Sequence, residues 1–182
     1  MPAGDHAHPV GSRQREMARQ LWLLRHADAE PHGVREDSER RLTERGERQA
    51  GAAGVAIERL AGGFEAVLFS PKVRARQTAE LASAAWEPQQ RELLAVHPPL
   101  AGGFDGAQAL DAMAGLGVDG RLLLVGHEPD LSRVVGELTG ARADVKKGGL
   151  AIVRLEGAGG ELVVLMRPRE LALICGVPLG GE

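Results

Sequence analysis

Three places in the 182-residue chain set polar groups, with histidine or arginine among or close behind them, at the end of a short apolar run. Gln20-Leu21-Trp22-Leu23-Leu24 ends in Arg25-His26. Ala66-Val67-Leu68-Phe69 ends in Ser70-Pro71, with Arg74 and Arg76 close behind. Arg121-Leu122-Leu123-Leu124-Val125 ends in Gly126-His127-Glu128-Pro129. A neutral imidazole is a nucleophile and proton carrier near pH 7, and a guanidinium binds oxyanions through a planar fork of donors. Two imidazoles and at least two guanidiniums in one place would suit a dianion, phosphate above all. Taken singly, a histidine at a strand end is usually structural, and an arginine near a helix start is usually solvated. At three successive strand ends the plain reading needs the same coincidence three times.

The elements that must position these groups follow from the hydrophobic pattern. Continuous apolar runs of this length suit strands buried on both faces, as in a parallel sheet. Thr43 is expected to cap a helix reaching about Leu60, with Ala50, Ala53, Ile57 and Leu60 on its inner face and Gly62-Gly63 as its stop. Ser70-Pro71 reads as an N-cap with proline at the first helical position, opening a helix to about Ala85. Leu93–Val96 is a short strand, and His97-Pro98-Pro99-Leu100 is read as irregular. A helix carrying Ala107, Leu110, Met113 and Ala114 follows. The helix after Pro129 bears Leu131, Val134, Val135 and Leu138, a packed surface stripe. Leu150–Leu155 and Leu162–Met166 form two strands joined by Gly157-Ala158-Gly159-Gly160.

Strand and helix alternate, so the expected class is α/β, a three-layer α/β/α sandwich with a mostly parallel central sheet. In such sheets ligands bind beyond the carboxyl ends of the strands, where helix N-termini also favour anions. Met1 to about Ala18 is polar, without apolar period, and reads as a disordered tail before one domain over 19–182. Met17 stands just ahead of the first strand and is an alternative start to Met1.

Composition closes off other classes. Hydrophobic residues make up 43% and charged residues 26%, a globular balance. A net charge of -3 and the absence of Tyr argue against a nucleic-acid partner. The single Cys175 excludes a disulfide framework and a cysteine zinc cluster, and it reads as packed. No window has the length of a membrane span and no signal peptide opens the chain, so the expectation is a cytoplasmic protein. Nothing demands more than a monomer. Gly115-Leu116-Gly117-Val118-Asp119-Gly120 matches a dinucleotide fingerprint but precedes its strand, which fails the context test. His6-Ala7-His8 lies in the tail and reads as incidental.

The motifs together resemble the histidine phosphatase superfamily, whose fold is that of phosphoglycerate mutase. Leu24-Arg25-His26-Ala27 is similar to its Arg-His-Gly signature, with Ala for Gly. Ser70-Pro71-Lys72-Val73-Arg74-Ala75-Arg76-Gln77-Thr78-Ala79 resembles its Ser-Pro-x-x-Arg-Ala-x-Gln-Thr-Ala segment, and Val125-Gly126-His127-Glu128-Pro129 its second-histidine motif. Asp37-Ser38-Glu39-Arg40-Arg41-Leu42-Thr43-Glu44-Arg45-Gly46 resembles its Asp-x-x-Arg-Pro-Leu-Thr-x-x-Gly loop, with Arg41 for Pro. The short chain and the Ala after His26 are most similar to the small SixA-type branch.

That resemblance implies His26 as nucleophile, Arg25 and Arg74 as phosphoryl-binding groups, and His127 as a further donor, with no metal and no cofactor. Asp28, Glu128 and Arg40 are secondary candidates, and Glu30 is a further possible acid. Many family members that cleave phosphate esters carry a general-acid Glu in the loop after the third strand. Leu93–Leu100 has no acid, and Glu92 and Asp105 only flank it. An alkoxide leaving group needs a proton more than an imidazole does, so the missing acid favours phosphohistidine on a protein substrate. A small phosphomonoester phosphatase and a non-catalytic phosphoprotein-binding module are the alternatives. His97 could enter the site from its loop, and Lys146-Lys147-Gly148-Gly149 could border the pocket and attract an acidic partner.

Overall fold

The computed structural model describes residues 18–176. The expected tail, the choice between Met1 and Met17, and the His6–His8 pair lie outside the described residues. Among the described residues six strands form one sheet: β1 Gln20–Arg25, β2 Ala66–Phe69, β3 Leu94–Val96, β4 Arg121–Gly126, β5 Leu150–Glu156 and β6 Gly159–Met166. Their order is β3-β2-β4-β1-β5-β6. The first four in that order are parallel, while β5 runs antiparallel to β1, and β6 to β5. The helices are α1 Glu44–Ala61, α2 Val73–Ser83, α3 Pro88–Arg91, α4 Gly106–Met113, α5 Asp130–Thr139 and α6 Pro168–Cys175.

The apolar runs are continuous because both faces of the sheet are covered. Trp22 and Leu24 of β1 pack with Ala53, Ile57, Ala75 and Leu171, beneath α1, α2 and α6. Leu21 and Leu23 pack with Met113, Leu131, Val134 and Val135, beneath α4 and α5. Successive side chains alternate between the two cores, so Leu21 to Leu24 leave no position for a polar residue. The result is a three-layer α/β/α sandwich around a mostly parallel sheet.

Several local expectations are corrected. Ser70 does not cap α2: that helix starts at Val73 after Lys72, whose side chain makes no cap, and it ends at Ser83. The His97-Pro98-Pro99-Leu100 segment is not irregular throughout, since Pro98–Ala101 forms a 3-10 turn. Proline suits the first positions of such a turn because the amides it lacks would be unpaired there anyway. Leu60 is 45% exposed and lies off the buried face of α1. The inner face of α4 is Gly106, Ala109 and Met113. The turn of the last hairpin is only Gly157-Ala158, with Gly159 and Gly160 already in β6. The helix α6 was not expected; it packs on α1 through Leu171 and Ala172. Thr43 does cap α1, accepting from the Gly46 amide, and Gly62 ends it in a left-handed conformation. No helix among the described residues is long and apolar enough to cross a membrane.

Candidate active site

Strand order decides what meets. Because β4 lies between β2 and β1, their carboxyl ends set Ser70, His127 and His26 side by side. Backbone bonds lock the row: the Ser70 amide donates to Val125 O and the His26 amide to Gly126 O. The two imidazoles lie with ring centroids 5.1 Å apart. Both are almost fully buried, at 5% and 7% exposure, where a charged ring would be costly.

The neighbours of His26 assign its tautomer. Nδ1 lies 2.8 Å from Ala27 O, an acceptor only, so this nitrogen carries the proton. Nε2 accepts from Arg74 Nε at 3.3 Å, so it holds the lone pair. Burial, then the charges of Arg74, Arg25 and Lys147, push the ring down to about 3, outweighing the Ala27 bond. His127 is also pushed to about 3, by burial and then by His26, Arg74 and Lys72. Its Nε2 lies 2.7 Å from Ser70 Oγ, and its buried Nδ1 has no partner among the described residues. Ser70 therefore holds the second histidine instead of capping a helix.

The cations are held by backbone and by one carboxylate. Arg25 Nη1 donates to Val145 O at 3.0 Å. Asp37, in a 3-10 turn Asp37–Glu39, collects three cations. Its Oδ1 accepts from Arg40, and its Oδ2 from Lys72 at 3.0 Å and Arg74 at 3.2 Å. The Lys72 bond first, then Arg40 and Arg74, hold this carboxyl well below the usual range. Arg74 is buried, and its Nη1 also donates to Asp37 O. Thr78 Oγ1 accepts from the Ala27 amide and donates to Arg74 O, tying α2 to the loop after His26. On the other side the Gly148 amide donates to both Arg25 O and His26 O. Gly148 sits at φ +70, with Gln49 against the position a Cβ would take, so only glycine fits this close turn unstrained.

These groups line a cavity of about 560 Å³ whose wall includes Arg25, His26, Asp37, Lys72, Arg74 and His127. Arg40 and Glu128 line it as expected, and so does Lys147 from the Lys146–Gly149 turn. Burial pushes the Glu128 carboxyl up, although Ser132 Oγ donates to it at 2.8 Å. Asp28 is not brought in: it faces away, bonded to Lys147 and Thr43. Glu30 is at the wall but bonded to Arg35 and the Arg41 amide. Arg76 is exposed beside Glu80. His97 stays outside, packed edge-on against Phe104. Asp105 caps α4, away from the cavity. Sequence reasoning missed Asp37 and Lys72 as participants, though both stand in the motifs quoted. It also missed Asp130, whose Oδ2 accepts from the Phe104 amide beside wall residues Gly102 and Gly103. The spacing that found the histidines says nothing of loops that approach from elsewhere. Among the described residues, no group of three or more His, Cys, Asp or Glu could hold a metal ion. The donor set is one of guanidinium, ammonium and imidazole groups, which suits an oxyanion.

Comparison with known proteins finds relatives in sequence and in fold. The model of the histidine phosphatase superfamily (branch 1) matches residues 21–95. An uncharacterized protein of Picosynechococcus sp. is 31% identical over 169 residues, covering 84% of this chain and 98% of that one. The structure of the protein histidine phosphatase SixA complexed with tungstate has a TM-score of 0.73 at 27% identity, covering 84% of this chain and 99% of that one. The α-ribazole phosphatase of Shigella flexneri shares the fold at 20% identity, with a TM-score of 0.59 and coverage of 82% and 96%.

Proposed function

This chain belongs to the histidine phosphatase superfamily, and we propose that it removes phosphate from phosphohistidine carried on a protein. Membership makes it a phosphatase; the substrate class and the residue roles are the proposal. The observation that carries the roles is the tautomer of His26, with Nδ1–H on Ala27 O and the Nε2 lone pair directed toward a buried arginine. A neutral ring held at the end of a rigid strand is ready to attack phosphorus in line.

In the first step Nε2 of His26 forms a bond to phosphorus, and the bond from phosphorus to the substrate nitrogen breaks. The departing ring leaves as neutral imidazole when its other nitrogen already carries a proton, so no acid is needed. The new phosphoimidazolium keeps its Nδ1–H on Ala27 O, which accepts more strongly from a cationic ring. In the second step water attacks phosphorus, inorganic phosphate leaves, and His26 returns to its neutral form. Arg25 and Arg74 neutralise charge on the transferring oxygens throughout, and His127 adds a donor, which is where catalysis of phosphoryl transfer mainly arises. Asp37 positions Arg74 and Lys72 and does not itself react.

A second reading, a small phosphomonoester phosphatase, is favoured by one observation. Glu128 is a cavity carboxyl raised by burial, and a protonated carboxyl there would serve an alkoxide leaving group. The experiment compares kcat/KM on a histidine-phosphorylated protein and on sugar phosphates, for the native chain and His26→Ala. The expected result is turnover of the phosphoprotein with little on sugar phosphates, and a loss of at least about a thousand-fold in the variant with its circular dichroism unchanged. Turnover that survives His26→Ala overturns the nucleophile assignment; faster sugar-phosphate hydrolysis selects the second reading.

A further inference from the structure

Two further cavities continue from the catalytic one along the same side of the molecule. The next, about 340 Å³, shares Lys147 with it and is lined also by Arg45, Lys146, Arg167 and Arg169. The third, about 640 Å³, shares Lys146, Arg167 and Arg169 with the second and extends to Arg142. Three segments supply this track: the first turn of α1, the connection from α5 to β5, and the start of α6. All six cations are exposed. Among the described residues three carboxylates are interleaved, each against a cation: Asp28 with Lys147, Asp144 with Lys146, and Glu170 with Arg169. Six cations against three acids leave an excess of three positive charges, in a chain whose net charge is -3.

We propose that this basic groove docks an acidic face of the phosphorylated protein substrate and steers its phosphohistidine into the adjoining catalytic cavity. The proposal rests on the phosphohistidine-protein reading above. It explains how a site that grips only a small phosphoryl group can select a macromolecule: the groove adds binding remote from the reacting atoms. The carboxylates in the groove show that it already accommodates carboxylate partners, and the Glu170 carboxyl is held down chiefly by the Arg167 amide and then by Arg169. The groove can exchange each of these ion pairs for one with an Asp or Glu side chain of the partner. It suits a nucleic-acid strand poorly, since an uninterrupted phosphate backbone would meet three acids. Among the described residues no aromatic side chain lines the groove to stack a base, and Trp22, Trp86, Phe64 and Phe104 are all buried.

The test uses the full chain and the double variant Arg142→Glu/Arg169→Glu, both positions being exposed and outside the catalytic cavity. The probes are three: an acidic histidine-phosphotransfer domain and a basic histone, each phosphorylated with phosphoramidate, and free phosphohistidine. For the native chain, kcat/KM on the acidic protein should exceed that on the histone by at least about tenfold, a preference that shrinks as salt screens it. The double variant should lose that preference through KM, with free phosphohistidine turned over at an unchanged rate. Unchanged kcat/KM on the acidic protein in the double variant overturns the groove while leaving the substrate reading intact. Stronger inhibition by an oligonucleotide than by an acidic peptide overturns it in favour of nucleic acid. If none of the three probes is hydrolysed, the substrate reading falls and the groove's role with it.

Discussion

At the scale of single residues, the two buried imidazoles are where electrostatics and reactivity meet. Folded, His26 and His127 are pushed to about 3, by burial first and neighbouring positive groups after it. An unfolded histidine titrates at about 6.5. Between those values the unfolded chain binds more protons than the folded one, so stability rises with pH across the window. The contribution is complete above about pH 6.5 and is lost as pH falls toward 3, with a slope of about 1.4 kcal/mol per pH unit for each ring. Two measurements check this. The ring resonances of His26 and His127 should not move between pH 8 and pH 5. Urea unfolding over the same range should lose about one ring's worth of slope in His127→Gln. Ring signals that titrate near pH 6.5 would contradict the buried, neutral nucleophile.

At the scale of elements, the site depends on helices being pressed against each other and against strand ends. The helix α2 carries Arg74 and is held against α1 at a point where Gly54 meets Ala82. A Cβ at Gly54 would lie 1.9 Å from Ala82 O, a backbone atom that cannot swing aside. Trp86 Nε1 donates to Gly54 O from the same junction. Gly54→Ala is therefore expected to destabilise the fold by about 3 kcal/mol, the upper end for overpacking, read as a lowered denaturation midpoint with an unchanged m-value. A midpoint within experimental error of the native chain would show that the two helices can part freely. The same scale accounts for the misread Ser70. A serine before proline at a strand end has the signature of a cap, but the neighbouring strand brings His127 within hydrogen-bonding distance, and Ser70 Oγ bonds to that ring.

At the scale of the whole molecule, binding at one pocket is linked to the stability of the entire sheet, because the strand ends that form the pocket are the ends of the core. A phosphate-like anion that binds only the folded chain stabilises it by about 2.7 kcal/mol at a hundred times its Kd. Tungstate or phosphate should raise Tm in proportion to the logarithm of concentration in the native chain, and not in Arg74→Met. An equal rise in both would place the anion outside this cavity. Much of this architecture was legible beforehand. The uninterrupted apolar runs announced buried parallel strands, and Arg25, His26, Arg74 and His127 stood in recognisable motifs just behind them. The periodicity of local segments carries that information, because an element's buried face is written in its own residues. By contrast, the grip of Asp37 on Lys72 and Arg74, the bond of Ser70 to His127, and the basic groove reaching to Arg142 all join residues far apart in the chain. Their partners are chosen by strand order and loop approach, and only the packed tertiary structure specifies these.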